Sequence, residues 1–134
     1  MSKTNIMVVD DSALTAKRLV VMLEQLGYEV GKICKTGLEA VDTIEYMTNK
    51  GLSIPDLITM DITMPDMDGI AATRQILAMQ KQALIIMVTS HGQEQMVIEA
   101  IGAGAKGYVL KPINIDKLRD SIKNVLTRYG QNQV

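Results

Sequence analysis

Tryptophan and phenylalanine are absent, and cysteine and histidine occur once each, at Cys34 and His91. A single cysteine excludes an intramolecular disulfide framework and fits a reducing, cytoplasmic setting, with Cys34 read as a buried structural thiol. No apolar run approaches the ~18 residues of a membrane span, so a membrane protein is not expected. Excess charge of either sign is missing too. The 14 Lys and Arg side chains stand against 15 Asp and Glu, for a net charge of -1. No global basic field recruits nucleic acid, and no local basic patch replaces one. No linker, repeat or shift of composition divides the 134 residues, so residues 1–134 are expected to form a single domain, ending in a polar tail at Tyr129–Val134.

What is present is an alternation of short apolar runs and helical patterns. Strands are predicted at Ile6–Val9, Glu29–Cys34, Leu57–Met60, Leu84–Val88 and Gly107–Leu110. Most are nearly continuous apolar runs, as in strands covered on both faces; Glu29–Cys34 is the least apolar and is placed at a sheet edge. Apolar residues three or four apart mark the helices between them. Leu19, Met22, Leu23 and Leu26 define the first, and Leu118, Ile122, Val125 and Leu126 the last, which is predicted over Asn114–Leu126. The others are predicted at Leu38–Asn49, Ile70–Gln80 and Gln93–Ala103. Ser12 and Asn114 suit N-caps, and Gly27 suits a helix stop. Successive βαβ units of this kind give a doubly wound α/β fold around a parallel sheet. Ten methionines are expected mostly as core filler, with Met64 and Met67 as candidate surface contacts.

In open α/β sheets the ligand site lies beyond the carboxyl ends of the strands. Asp10-Asp11 follows the first strand, Asp61 the third, Thr89-Ser90 the fourth and Lys111-Pro112 the fifth. Converging carboxylates repel unless a cation neutralises them, and hard oxygen ligands that leave room for water and phosphate suit Mg²⁺. Phosphoryl transfer spreads negative charge over equatorial oxygens, which a metal, a lysine and a hydroxyl can stabilise. Lys111 supplies the cation and Thr89 the hydroxyl. Asp61, alone at a central strand's end, is the candidate nucleophile, while Asp10 and Asp11 form a pair suited to ligation.

With these residues in place the chain resembles the receiver domains of two-component response regulators, particularly single-domain chemotaxis regulators of the CheY type. The likeness rests on Val8-Val9-Asp10-Asp11-Ser12, on Asp61-Ile62-Thr63-Met64-Pro65 with Asp68-Gly69, on Thr89-Ser90, and on Gly107-Tyr108-Val109-Leu110-Lys111-Pro112, and it runs from about Asn5 to Arg128. It implies a flavodoxin-like (βα)5 sheet of strand order 2-1-3-4-5. It implies phosphorylation of Asp61 by a sensor histidine kinase, and Mg²⁺ ligation by Asp11, Asp61 and the backbone carbonyl of Thr63, with Asp10 acting largely through water. Lys111 is expected to reach the phosphoryl group and the Lys111–Pro112 bond to be cis. Thr63 and His91 are expected to border the path of the hydrolytic water and tune the lifetime of the phosphorylated state. Thr89 and Tyr108 are expected to act as a switch, Tyr108 turning from an exposed to a more buried position. The helix 93–103, strand 107–110 and helix 114–126 face would then bind an effector. The chain would be a monomeric signalling switch whose only catalysis is its own phosphorylation and dephosphorylation. Relay of the phosphoryl group to a histidine phosphotransfer protein is the alternative output.

Other signals point elsewhere and are set aside. Gly102-Ala103-Gly104-Ala105-Lys106-Gly107 fits the dinucleotide pattern G-x-G-x-x-G, but a helix ends and a strand begins there, the reverse of what phosphate binding needs. From the residues alone, His91 reads as an exposed loop histidine without partners. An aspartyl phosphatase of the haloacid dehalogenase kind would need an acid where Thr63 stands. A flavodoxin would need a phosphate loop free of Asp10 and Asp11.

Overall fold

The computed structural model describes residues 3–130, so the end of the expected polar tail lies outside the described residues. Strands and helices alternate throughout: β1 (Asn5–Val9), α1 (Ala13–Gln25), β2 (Glu29–Cys34), α2 (Gly37–Asn49), β3 (Leu57–Met60), α3 (Gly69–Met79), β4 (Ile85–Thr89), α4 (Glu94–Gly102), β5 (Gly107–Leu110) and α5 (Ile115–Tyr129). The strands form one parallel sheet in the order β2-β1-β3-β4-β5. The expected fold class and strand order are therefore found, with Glu29–Cys34 at an edge.

Period-two alternation explains how a continuous apolar strand serves two cores. Ile6 and Val8 of β1, with Leu84, Ile86 and Val88 around β4, face α1 and α5, which contribute Ala16, Leu19, Leu23, Leu118, Ile122 and Val125. Met7 and Val9, with Ile58, Met60, Ile85 and Met87, face the opposite way. There they meet Ala40 and Ile44 of α2, Ala72 and Ile76 of α3, and Ala100 of α4. Each fully buried Leu or Ile in these layers stabilises the fold by about 1.5–3 kcal/mol relative to exposure. Cys34 is buried and free, as expected.

Caps set the helix starts. The side chains of Ser12, Thr36, Asp68 and Asn114 each accept an amide hydrogen from the first turn that follows them. At the end of α1, Gly27 takes φ of 92°, while Gly27 N–H donates to Glu24 C=O and Tyr28 N–H to Leu23 C=O. Those paired bonds are a Schellman stop, which needs the left-handed conformation that glycine adopts without cost.

The predicted boundaries lie within one residue of the observed ones except at the end of α5, and two of the shifts have a clear structural cause. β4 runs from Ile85 to Thr89 rather than from Leu84 to Val88, because pairing with β5 continues to the Thr89–Leu110 step. Helix α5 continues to Tyr129, beyond the predicted end at Leu126. The Lys106 ammonium sits 4.8 Å from the centre of the Tyr129 ring, a cation–π contact that ties this last turn to the start of β5. Among the described residues no helix is long and apolar enough to cross a membrane.

Candidate functional site at the carboxyl rim of the sheet

The parallel ladders extend one residue past their strands at the rim. Asp10 N–H donates to Cys34 C=O at 3.0 Å, Asp61 N–H to Val9 C=O at 3.0 Å, and Lys111 N–H to Thr89 C=O at 2.8 Å. Each of these residues therefore has its backbone pinned by the neighbouring strand while its side chain is free to point off the sheet. A rigid element of this kind holds functional groups more tightly than a loop does.

Asp10, Asp11 and Asp61 come together, with one carboxylate oxygen of each within 4.8 Å of the others. Asp10 and Asp61 are buried, at 2% and 8% exposure, and Asp11 is exposed. Lys111 Nζ bridges the buried pair, 2.9 Å from Asp10 Oδ2 and 3.3 Å from Asp61 Oδ2. The other oxygens are also occupied: Ser12 N–H donates to Asp10 Oδ1 and Ile62 N–H to Asp61 Oδ1. Burial pushes the Asp61 carboxyl above its ordinary pKa; Lys111 pulls it back, Asp10 raises it further, and the net shift is upward. Burial pulls Lys111 down, yet the hydrogen bonds and charges of Asp10 and Asp61 outweigh it and leave the ammonium above its ordinary pKa. One lysine thus serves two buried carboxylates with a third acid at the mouth, a donor set of hard oxygens that fits a small divalent cation.

Thr89 is fully buried as the last residue of β4, rather than lying just beyond the strand. Tyr108 pairs with Met87 in the register of β4 and β5, so Tyr108 and Thr89 project to the same face, one diagonal step apart. Tyr108 is not in the exposed starting position expected from the resemblance. It is half-buried against the α2–α3–α4 core, and its hydroxyl donates to the His91 carbonyl at 2.6 Å. His91 also corrects the reading of a partnerless loop residue: it is half-buried, and its Nε2 is hydrogen-bonded to Thr63 Oγ1. Met64 is buried at 9% exposure, and Met67 is partly buried against the same core, so neither is the free surface contact first expected. The Lys111–Pro112 bond is cis.

Sequence reasoning gave Gly69 no role beyond its place in a motif. A Cβ at this position would collide with the Asp61 carbonyl oxygen and come 2.8 Å from the Asp61 carbonyl carbon. Only glycine lets the first turn of α3 lie against the back of the candidate nucleophile, where Gly69 N–H also donates to Ile62 C=O at 2.7 Å. The glycine pattern at 102–107 spans the end of α4 and the start of β5, so it offers phosphate no helix N-terminus.

Fold and rim together define the class, a CheY-like receiver domain of a two-component response regulator. The chain belongs to the response regulator receiver domain family, whose pattern matches residues 6–123. It is 41% identical over 121 residues to the chemotaxis protein CheY of Bacillus subtilis, covering 90% of this chain and 96% of that one. The chemotaxis protein CheY of Thermotoga maritima is 38% identical over 120 residues, 90% of this chain and 95% of that one. Among solved structures, the CheX–CheY–BeF3–Mg complex from Borrelia burgdorferi matches with a TM-score of 0.83 at 33% identity, over 91% of this chain and 88% of that one. These relationships rule out the phosphatase and flavodoxin readings.

Proposed function

We propose that this receiver domain is a switch that accepts a phosphoryl group on Asp61 from a sensor histidine kinase and thereby changes its affinity for an effector. The observation that carries the reading is the two-carboxylate bridge of Lys111, which joins Asp10 and Asp61 at 2.9 and 3.3 Å beside an exposed third acid. In the transfer a carboxylate oxygen of Asp61 attacks phosphorus. The bond from phosphorus to the donor's nitrogen or oxygen breaks, and the leaving group departs with the bonding pair. Asp11, Asp61 and the Thr63 backbone carbonyl are the residues to hold Mg²⁺ directly, with Asp10 acting through water. A bound magnesium ion would neutralise charge shared between these carboxylates and the phosphoryl oxygens. Lys111 donates to the phosphoryl oxygens as they arrive, since they replace the negative charge it already faces. Thr89 offers its hydroxyl from the adjoining strand.

The proposed effector face is formed by α4, β5 and α5. Ile98, Ile101 and Leu110 on that face are 55%, 48% and 50% exposed, and exposed apolar groups of this size suit a protein partner. Effector binding is favoured over relay because the relatives at 41% and 38% identity are chemotaxis proteins.

The test is labelling with acetyl phosphate, read by intact mass and by peptide mapping. One phosphoryl addition on Asp61, seen only with Mg²⁺ and lost in Asp61→Asn, is expected. A full-strength label on Asp61→Asn refutes the assignment of the nucleophile.

A further inference from the structure

Helix α4 buries a single residue, Ala100, and its start at Gln93 has no side-chain cap, whereas the other four helices are capped. Helix α3 packs on α2 and barely approaches α4. The gap between α3 and α4 is a cleft of about 370 Å³, within the size range of ligand sites. Ile62, Met64, Ile70 and Met96 give it an apolar lining. Arg74 stands on the α3 wall and Glu99 on the α4 wall, both exposed, and neither forms an ion pair among the described residues. Asp68 also borders the cleft, but its Oδ1 already accepts from the Ala71 amide. The lining can reshape. Eight of the ten methionines pack on this side of the sheet, against Met22 on the α1–α5 side, and an unbranched thioether adapts to contacts that stiff β-branched side chains cannot follow. Met96 and Glu99 turn toward the cleft, two residues out of step with the exposed Ile98 and Ile101, so the cleft lies around the helix from the proposed effector face.

We propose that the α3–α4 cleft is a docking site for an extended peptide segment of a partner protein, in which one large apolar side chain has an acidic residue two positions to one side and a basic residue two positions to the other. Alternate side chains of an extended chain point the same way, about 7 Å apart, so the apolar one enters the cleft while its neighbours descend to the two walls. The acid meets Arg74 and the base meets Glu99. Charge complementarity selects this occupant, because a cation on one wall and an anion on the other are left without partners across an apolar floor. A free amino acid is a poorer match, since both its charges are attached to one carbon while the walls face each other across the cavity. Burial of one leucine with two exposed charge contacts corresponds to a dissociation constant of about 1–10 mM for the isolated segment.

The experiment is an amide chemical-shift titration of the isotope-labelled full chain with the blocked peptide acetyl-Glu-Ala-Leu-Ala-Lys-amide. Saturable shifts centred on Ile62–Met64, Ile70–Arg74 and Met96–Glu99 are expected. Serine in place of the peptide's leucine should abolish them. Arg74→Glu should weaken binding by about five-fold or more, and adding Glu99→Arg should recover it, because the peptide can then lie in the opposite direction. Both side chains are exposed, so the folded spectrum away from the cleft should be unchanged. No saturable shift up to about 50 mM peptide, or largest shifts outside these segments, overturns the site. Undiminished binding of the serine peptide, or a double variant no better than Arg74→Glu alone, overturns the arrangement of anchor and charges. Free L-leucine that binds as tightly as the peptide overturns the peptide segment as occupant.

Discussion

Lys111 lies closer to Asp10 than to Asp61, 2.9 Å against 3.3 Å, although Asp61 is the residue to which the chemistry is assigned. The ammonium is shared between the two buried carboxylates and sits nearer the one that is not the candidate nucleophile.

Lys111→Gln should therefore do two separable things. It leaves two buried carboxylates uncompensated, so stability without metal should fall by about 2 kcal/mol in urea denaturation at neutral pH. It also removes a competing cation, so Mg²⁺ should bind at least as tightly as to the unsubstituted chain while labelling of Asp61 is lost. Calorimetry that shows weaker Mg²⁺ binding counts against this placement.

Asp61 carries a pH dependence of definite sign. Its folded pKa lies above the unfolded value of about 3.9, so its neutral form is the one favoured by folding. That stabilisation is present below the unfolded pKa and is lost as pH rises through the folded pKa. At pH 7 without metal the ionised group is a liability, and Asp61→Asn should melt at a higher temperature than the unsubstituted chain. The difference should shrink as pH falls toward the unfolded carboxylate range. A difference independent of pH would mean that burial of the charge is not its cause.

Asp11 is exposed and pairs with no lysine among the described residues, so its removal should leave the metal-free protein as stable as before. Its loss should show in the presence of Mg²⁺. At a hundred times the dissociation constant the unsubstituted chain should gain about 2.7 kcal/mol, and Asp11→Ala should gain almost none. Undiminished calorimetric binding in Asp11→Ala would falsify the ligand assignment.

Thr89→Ala deletes a buried hydroxyl whose side-chain hydrogen bond among the described residues is a long one, from the His91 amide at 3.4 Å, so the stability change should stay within about 1 kcal/mol. Labelling of Asp61 should continue. The gain in effector affinity on phosphorylation should fall, because a partner responds only to a difference between the two states. Normal labelling with the full affinity gain sinks the proposed role of Thr89 in transmission.

Gly69→Ala should cost about 1–3 kcal/mol or more, since its Cβ meets the Asp61 backbone rather than a side chain that can turn away. Gly102→Ala is the control. Nothing lies within 4 Å of its Cβ, and it should be neutral or stabilising by about 0.4–1 kcal/mol. Denaturation curves that rank the two equally would show that α3 can move away from Asp61.

The sequence alone determined the order of elements, the doubly wound class and the residues at each strand end. It could do so because strand and helix periods, caps such as Ser12 and Asn114, and the glycine stop at Gly27 are properties of a few consecutive residues. Tertiary structure decided which of those groups meet. Lys111 and Asp10 are 101 positions apart, and Thr63 and His91 are 28 apart; no local pattern states those distances. The burial of Met64, the inward Tyr108 and the inclusion of Thr89 in β4 were decided the same way, by what the neighbouring strand and loop leave room for. Side-chain contacts across loops depend on sheet order and register, and these are fixed only when both faces of the sheet are covered.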